Sequence, residues 1–448
     1  MISRKIYSKL EDFRDSSNKA LLVTGARQIG KTYSIRQFGE ANYDSFIEIN
    51  FIDNHQYADV FGKAANAQDL LLRLSALTDK PFIPGKTLVF FDEVQECPDI
   101  VTMIKFLVEE GSYRYILSGS LLGVYLNDLR SAPVGYMEVA DMYPLDLEEF
   151  AVAVGIPQNV IDRLGENYAC RTPADELIHR KMMEVFRLYL VVGGMPAAVQ
   201  KYLDTNNMQL VMAEQQAIVR MYHQDISKYD KANKLYIAEI FDRIPAELNA
   251  KNKRFILKNI NENMKFSRYE NSFLWLKDAG AALPTYNVDE PTAPLLLSSA
   301  RNLFKLFLSD IGLLACLYAD GIQAKLLSGD ACINFGAVYE NVVAQELHAH
   351  GFQLYYYNSK RQGELDFVVE HHGKALPIEV KSGKDYERHH ALSNVMATPT
   401  YDIDEAIVLC NDNVSVQGKV VYLPVYMTMF IKHDDTAPLF YKLDLSGL

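Results

Sequence analysis

Over the first 150 residues, short apolar runs alternate with segments of helical period, the pattern of a parallel sheet covered by helices. Four runs predict strands at Ala20 to Thr24, Phe46 to Phe51, Thr87 to Phe91 and Tyr113 to Leu117, each closed by polar or glycine punctuation. A fifth is expected over Gly135 to Val139. From Leu145 to Asp242 the period is helical, with helices predicted at Asp146 to Val154, Ala174 to Val191, Met195 to Thr205 and Met208 to Tyr222. The break Gly193-Gly194-Met195-Pro196 separates two of them. Residues 245 to 320 predict short helices followed by a strand pair at Ala282 to Val288 and Leu295 to Ser298. From Asn334 onward a helix over Phe335 to His350 leads into strands at Gln353 to Tyr357, Leu365 to Glu370, Leu376 to Lys381, Ala406 to Leu409 and Val420 to Pro424.

Composition narrows the class without changing this picture. With 448 residues the chain exceeds what one core usually organises, and 49% hydrophobic with 23% charged residues is ordinary for globular proteins. The N-terminal segment carries charges throughout and lacks the apolar stretch of a signal peptide, and no apolar run reaches spanning length, so a cytoplasmic protein without membrane partners is expected. Five scattered cysteines predict neither a disulfide framework nor a zinc knuckle. A net charge of -12 argues against nonspecific coating of DNA, while leaving room for a local basic surface.

The strongest chemical signal is Gly25-Ala26-Arg27-Gln28-Ile29-Gly30-Lys31-Thr32, which follows a predicted strand and opens a predicted helix. Its glycines let backbone N–H groups curl around phosphates, and the helix N-terminus favours the same anion. Lys31 is expected at the β- and γ-phosphates of ATP, Thr32 at Mg²⁺, and Tyr33 beside them. A second signal is the strand ending in Asp92-Glu93, since strand ends in open parallel sheets face the ligand crevice. It resembles a Walker B motif, in which Asp92 holds Mg²⁺ and Glu93 orients the attacking water. A third strand ends at Ser118-Gly119-Ser120, and either hydroxyl could serve as a polar sensor. Together these motifs resemble the AAA-type ATPases, in particular their archaeal-ATPase-like branch, over residues 1 to 240. Arg114, Arg130, Arg180, Arg187 and Arg243 all stay open as an arginine finger.

The last third carries a different constellation. Gly363-Glu364-Leu365-Asp366 and Leu376-Pro377-Ile378-Glu379-Val380-Lys381 predict a hairpin turning at His371-His372-Gly373. Residues two apart on a strand share a face, so Glu379 and Lys381 point together and Asp366 can meet them across the pair. With Glu340 on the preceding helix, the acids suggest a second divalent cation, with Lys381 as a catalytic group. The order resembles the restriction-endonuclease-like, PD-(D/E)xK core, although Gly-Glu-Leu-Asp366 replaces the usual Pro-Asp. A solvated hairpin with ordinary ion pairs would carry the same letters. A chain that joins these motifs to Phe304-Lys-Leu-Phe-Leu-Ser-Asp-Ile-Gly-Leu314 is similar to bacterial AAA-type ATPases whose C-terminal domain has no assigned function.

The expected architecture is therefore α/β: a P-loop parallel-sheet ATPase core over 1–144, a helical lid over 145–242, a winged-helix-like segment over 243–325 and a nuclease-like C-terminal domain over 326–448. Lys251, Lys253, Arg254, Lys258, Lys265 and Arg268 form a basic cluster in the third segment. The expected function is Mg²⁺-dependent ATP hydrolysis coupled to DNA binding or processing. The alternative is a signalling or protein-interaction switch with an inert C-terminal domain. Related ATPases often complete their sites with a neighbouring subunit, so a homo-oligomer fits either. The adjacent histidine pairs predict surface turns, and Trp275 a core position.

Overall fold

A computed structural model describes residues 2–54, 56–120, 135–229, 234–250, 253–255, 270–318, 321–329 and 335–433. The chain forms two compact units, one from residues 1–162, 180–284 and 305–333, the other from 163–179, 285–304 and 334–448. The chain passes repeatedly between the two.

In the first unit, β1 (Ala20–Thr24), β2 (Ser45–Asn50), β3 (Thr87–Asp92), β4 (Arg114–Ser118) and β5 (Met137–Asp141) form a sheet in the order β2-β3-β4-β1-β5, parallel at every pairing. Parallel neighbours need crossovers: α2 (Lys31–Asn42) connects β1 to β2, α3 (Gln56–Lys63) and α4 (Ala67–Ser75) connect β2 to β3, and α5 (Asp99–Glu110) connects β3 to β4, while α1 (Ile6–Ser16) precedes the first strand. Covered on both faces, β3 is buried along its whole length. Phe51, Phe61, Phe91 and Tyr115 pack ring against ring in this core. Each such buried ring contributes roughly 1.5–3 kcal/mol by leaving water.

Helices follow: α6 (Leu147–Ala153), α7 (Gln158–Cys170), α8 (Glu176–Val192), α9 (Pro196–Thr205), α10 (Met208–Tyr229), α11 (Lys234–Asn249) and α12 (Glu270–Asp278). The helix α7 has no counterpart among the sequence expectations, and α10 runs seven residues beyond Tyr222. Asp146 and Glu149 close a reciprocal capping box at the start of α6. After α13 (Ile311–Leu317) and α14 (Ile322–Ser328), a buried knot becomes visible around the Gly-Gly-Met-Pro break. Leu145 N–H donates to Gly194 O at 2.7 Å, and a Cβ at Gly194 would lie 2.0 Å from Leu145 O, so only glycine fits. Asp310 caps α13 by accepting from Leu313 N–H at 2.9 Å and also accepts from Gly194 N–H at 2.6 Å. Among the described residues, no single helix is long and apolar enough to cross a membrane.

The second unit holds most of β6 (Ala282–Val288) and β7 (Ser299–Leu308) and all of β8 (Tyr355–Ser359), β9 (Gly363–His371), β10 (Lys374–Val380), β11 (Ala406–Cys410), β12 (Ser415–Gln417) and β13 (Val420–Pro424), strands that form one sheet in the order β12-β13-β11-β10-β9-β8-β6-β7. The helices α15 (Gly336–Ala349) and α16 (His390–Met396) accompany it, α15 packing on β10. Two expectations are corrected here. Leu295–Ser298 is a 3₁₀ turn, with Leu295 buried but Leu296 and Leu297 exposed, and the strand begins only at Ser299. The pair β6 and β7 joins the C-terminal sheet, β6 lying parallel to β8 with Tyr286 opposite Tyr355, rather than forming the wing of a separate winged-helix unit. Of the basic cluster, Lys251, Lys258, Lys265 and Arg268 lie outside the described residues.

Candidate functional site

Strand register assembles the first site. In the sheet, Asn50 is opposite Asp92, Phe91 opposite Leu117 and Val23 opposite Ser118, so one edge carries Asn50, Asp92, Ser118 and the loop that leaves β1. Because β4 lies between β1 and β3, Ser118 stands between that loop and Asp92. The loop backbone is left-handed at Gly25 (φ 134°), Gln28 (φ 65°) and Gly30 (φ 91°). A Cβ at Gly25 would meet Met142 O at 2.1 Å, which makes that glycine obligatory.

Asp92 is the hub. Its Oδ2 accepts from Thr32 Oγ1 at 3.0 Å and Asn50 Nδ2 at 3.1 Å, and its Oδ1 accepts from the Ser118 hydroxyl and from Glu93 N–H at 3.1 Å. Burial raises the Asp92 carboxyl above the usual range, while the Ser118 and Thr32 hydroxyls oppose that rise. Glu93 is in the left-handed region at φ 57°, and its Oε2 accepts from Gln95 Nε2 at 2.6 Å and Ser120 Oγ at 3.3 Å. Such a conformation costs a β-carbon-bearing residue of order 1 kcal/mol or more and turns Glu93 away from the strand line. Lys31 is buried, and its ammonium donates to Gly25 O at 2.9 Å and Ala26 O at 2.7 Å. Burial lowers its pKa to about 8 against the opposing pull of Glu93 and Asp92. Tyr33 stands exposed on the first turn of α2.

The donor set fits a nucleotide and a hard cation. A hydroxyl and a carboxylate oxygen within 3.0 Å, Thr32 and Asp92, are the oxygen ligands that Mg²⁺ prefers. The cradle of left-handed turns ends on the N-terminus of a twelve-residue helix, where first-turn N–H groups lack intrahelical acceptors. When bound, Mg²⁺ would neutralise phosphate charge there.

Several supporting residues carried no signal in the linear sequence. Arg4 donates to Ile29 O at 2.9 Å and Tyr143 O at 2.6 Å, and its Nε meets Glu149 at 3.1 Å, bracing the back of the loop from 25 residues upstream. Asn50 was findable as a polar strand end aligned with Asp92, but only once the strand order is known. Of the candidate finger arginines, Arg114 donates to Ser17 O, to Phe13 O at 3.1 Å and to Arg14 O at 2.9 Å at the opposite end of the sheet, Arg243 pairs with Glu239 at 3.1 Å, and Arg130 lies outside the described residues. Arg187 packs beside Gly329, and Arg180 and Arg187 both favour the charged form of Glu184.

In the second unit, Asp366, Glu379 and Lys381 come together as the hairpin register predicts. With Ile378 opposite Phe367, Glu379 falls opposite Asp366. Asp366 Oδ2 accepts from Val380 N–H at 2.9 Å, and Lys381 Nζ donates to Glu379 Oε2 at 3.0 Å. Burial and the neighbouring Asp366 push Glu379 up to about 8, against the attraction of Lys381. Burial disfavours the Lys381 ammonium, yet Glu379, Asp366 and the buried Glu340 together hold its pKa above the usual lysine range. Among the described residues no group of three or more His, Cys, Asp or Glu side chains is arranged to hold the expected second divalent cation, and Lys381 Nζ lies against Glu379. His371 and His372 meet edge to face at the hairpin turn with ring centroids 4.1 Å apart, His389 meets the Tyr422 hydroxyl at 2.8 Å, and Trp275 is buried.

Comparison with known proteins sets these sites in context. Among solved structures, C. elegans PCH-2 is 15% identical over 35% of this chain and 42% of its own, with a TM-score of 0.21, so this chain spans less than half of that protein. The Aeropyrum pernix ORC1 protein, solved in complex with DNA, is 13% identical over 73% of this chain and 93% of its own, with a TM-score of 0.27. Pyrobaculum aerophilum CDC6P is 12% identical over 73% and 96%, with a TM-score of 0.23. No curated protein matches. Family models for two domains of unknown function match residues 183–325 and 335–427. The model of the AAA domain matches residues 17–151, the stretch that carries the loop, Asp92 and Ser118, and this part of the chain is a nucleotide-binding domain of the AAA-type ATPases.

Proposed function

We propose that the first unit hydrolyses ATP with Mg²⁺, and that the convergence of Thr32, Asn50 and Ser118 on Asp92 is the observation that carries this reading. Gly25 to Thr32 bind the phosphates, Lys31 leaves the loop carbonyls for the β- and γ-phosphates, and Thr32 with Asp92 hold the cation. Glu93, anchored by Gln95 and Ser120, orients the attacking water and accepts its proton. Two substitutions test the reading. Lys31→Ala should abolish binding of a fluorescent ATP analogue, whereas Glu93→Gln should keep binding and lose turnover. If Glu93→Gln hydrolyses ATP at the wild-type rate, the assignment of Glu93 fails.

A second reading concerns what the ATP is used for. The Glu379-x-Lys381 pair with Asp366 favours a C-terminal unit that engages nucleic acid, in keeping with a nuclease-like core, though a shared core does not by itself imply cleavage. ATPase turnover with and without DNA decides between this and the protein-partner alternative. Stimulation by DNA supports the first; indifference to DNA, with Lys381→Ala leaving cellular function intact, supports the second.

A further inference from the structure

The phosphate loop holds an arginine that its phosphate-binding role does not require. Arg27 projects from the second position after Gly25, and its guanidinium joins two elements. Nε donates to Ser120 Oγ at 3.1 Å, and Nη1 meets Asp225 on α10 at 2.5 Å. The same helix touches the loop twice more: Tyr222 Oη donates to Arg27 O at 3.5 Å, and Gln28 Nε2 lies 3.7 Å from Met221 Sδ. Ser120 in turn donates to Glu93. A hydrogen-bonded line therefore runs from α10 through Asp225, Arg27 and Ser120 to Glu93, within the first unit.

Charge and burial give this line a direction. Ser120 and Asp225 are buried, whereas the Arg27 side chain keeps 28% of its surface exposed. A buried carboxylate without a cation is costly, so Asp225 holds Arg27 firmly while the site lacks a stronger anion. A guanidinium has five N–H donors in a planar fork, enough to keep Ser120 and still reach an added phosphate. Only a triphosphate brings a terminal anion to the side of the site where Glu93 stands.

We propose that Arg27 is a positioning residue for hydrolysis, supplied by this chain's own phosphate loop: it sets Glu93 through Ser120, and its pairing with Asp225 makes α10 the element that responds to the terminal phosphate. The proposal rests on the assignment of Glu93 above.

The test compares wild type with Arg27→Ala, Arg27→Lys, Asp225→Asn and the exchange Arg27→Asp with Asp225→Arg, measuring ATP and ADP affinity, kcat and thermal midpoint. Arg27→Ala should lower kcat about 30-fold or more, since lost preorganised donors commonly cost 10²–10³. It should weaken ATP about tenfold while leaving ADP within about threefold, a difference of about 1.4 kcal/mol. Arg27→Lys should fall between, because an ammonium cannot span Ser120 and Asp225 as a fork does. Asp225→Asn should lower kcat with ADP binding intact. The exchange should recover the thermal midpoint but not turnover. Equal loss of ATP and ADP binding with kcat unchanged, or a turnover restored by the exchange, would overturn the proposal and leave a structural ion pair. Should Arg27→Ala not fold, the isosteric Asp225→Asn and Arg27→Lys carry the same comparison. A wild-type protein that neither binds nor hydrolyses ATP would instead refute the underlying assignment.

Discussion

Two clusters of acids, one in each unit, solve the same physical problem in opposite ways. Asp92 and Glu93 are adjacent in sequence but diverge, Asp92 met by hydroxyl and amide donors and Glu93 by Gln95 and Ser120. Neutral donors stabilise a carboxylate without cancelling its charge. Asp366 and Glu379 are distant in sequence but directly opposed across a hairpin, and the nearest counter-charge is Lys381. There burial and the neighbouring Asp366 raise Glu379, and Lys381 pairs with it. The difference teaches that buried carboxylates are compensated either by hydroxyl and amide donors or by an ammonium, according to what the fold brings beside them.

The sharpest way to break this comparison is Glu93→Gln, expected to reduce kcat by roughly 10²–10⁴ with ATP binding retained, in line with losing a general base. Steady-state turnover beside equilibrium binding checks it. If Glu379→Gln abolished ATP turnover to the same degree in the intact chain, the two clusters would not have separate roles.

A third buried acid sharpens the contrast. Asp310 accepts backbone N–H groups from Gly194 and Leu313, and burial pushes it up to about 6 against those bonds. Asp310→Ala leaves these donors without an acceptor, and at about 1–3 kcal/mol for each it should cost roughly 3 kcal/mol in chemical denaturation. A loss below about 1 kcal/mol would mean that the knot around Gly193 and Gly194 repacks.

Next comes pH. Glu379 has a folded pKa above its unfolded one, so between about 4.5 and about 8 the folded state binds more protons and stability falls as pH rises. Glu379→Gln should flatten that slope and raise stability relative to wild type at pH 9 by on the order of 2 kcal/mol, less than full linkage allows because the proton is shared with Asp366. Denaturation across pH 5 to 9 measures it, and parallel curves would show that Glu379 is charged throughout.

The last comparison belongs to Lys31. With its pKa lowered to about 8 by burial, the ammonium loses its proton as pH rises through that value, so ATP affinity should fall by at most about tenfold for each pH unit above it. Nucleotide binding titrated from pH 7 to 10 tests this. An affinity unchanged up to pH 10 would place Lys31 in the ordinary lysine range.

Much of the first site was legible because its signals are local. A loop of defined spacing between strand and helix requires only neighbouring residues, and Lys31, Thr32, Asp92 and Ser118 all lie within one residue of a predicted strand or helix end. The hairpin of Asp366 and Glu379 was legible for the same reason, since period-two alternation and a glycine turn fix its register. What escaped were partners brought from afar. Arg4, Asn50, Asp225 and Asp310 look like ordinary polar residues in sequence, and their roles depend on strand order and on helices that return to the loop. The turn at Leu295–Ser298 was misjudged because an apolar run does not say which side chains are covered.

By itself, then, the sequence determined the phosphate loop, the acid-ended strand and the Glu-x-Lys hairpin, since backbone conformation and face alternation depend on near neighbours. Only the tertiary structure decided that β4 comes between β1 and β3 and that β6 and β7 extend the C-terminal sheet. Those outcomes follow from which surfaces bury one another across long stretches of chain. Burial and charge compensation act on atoms close in space, whatever their separation in sequence.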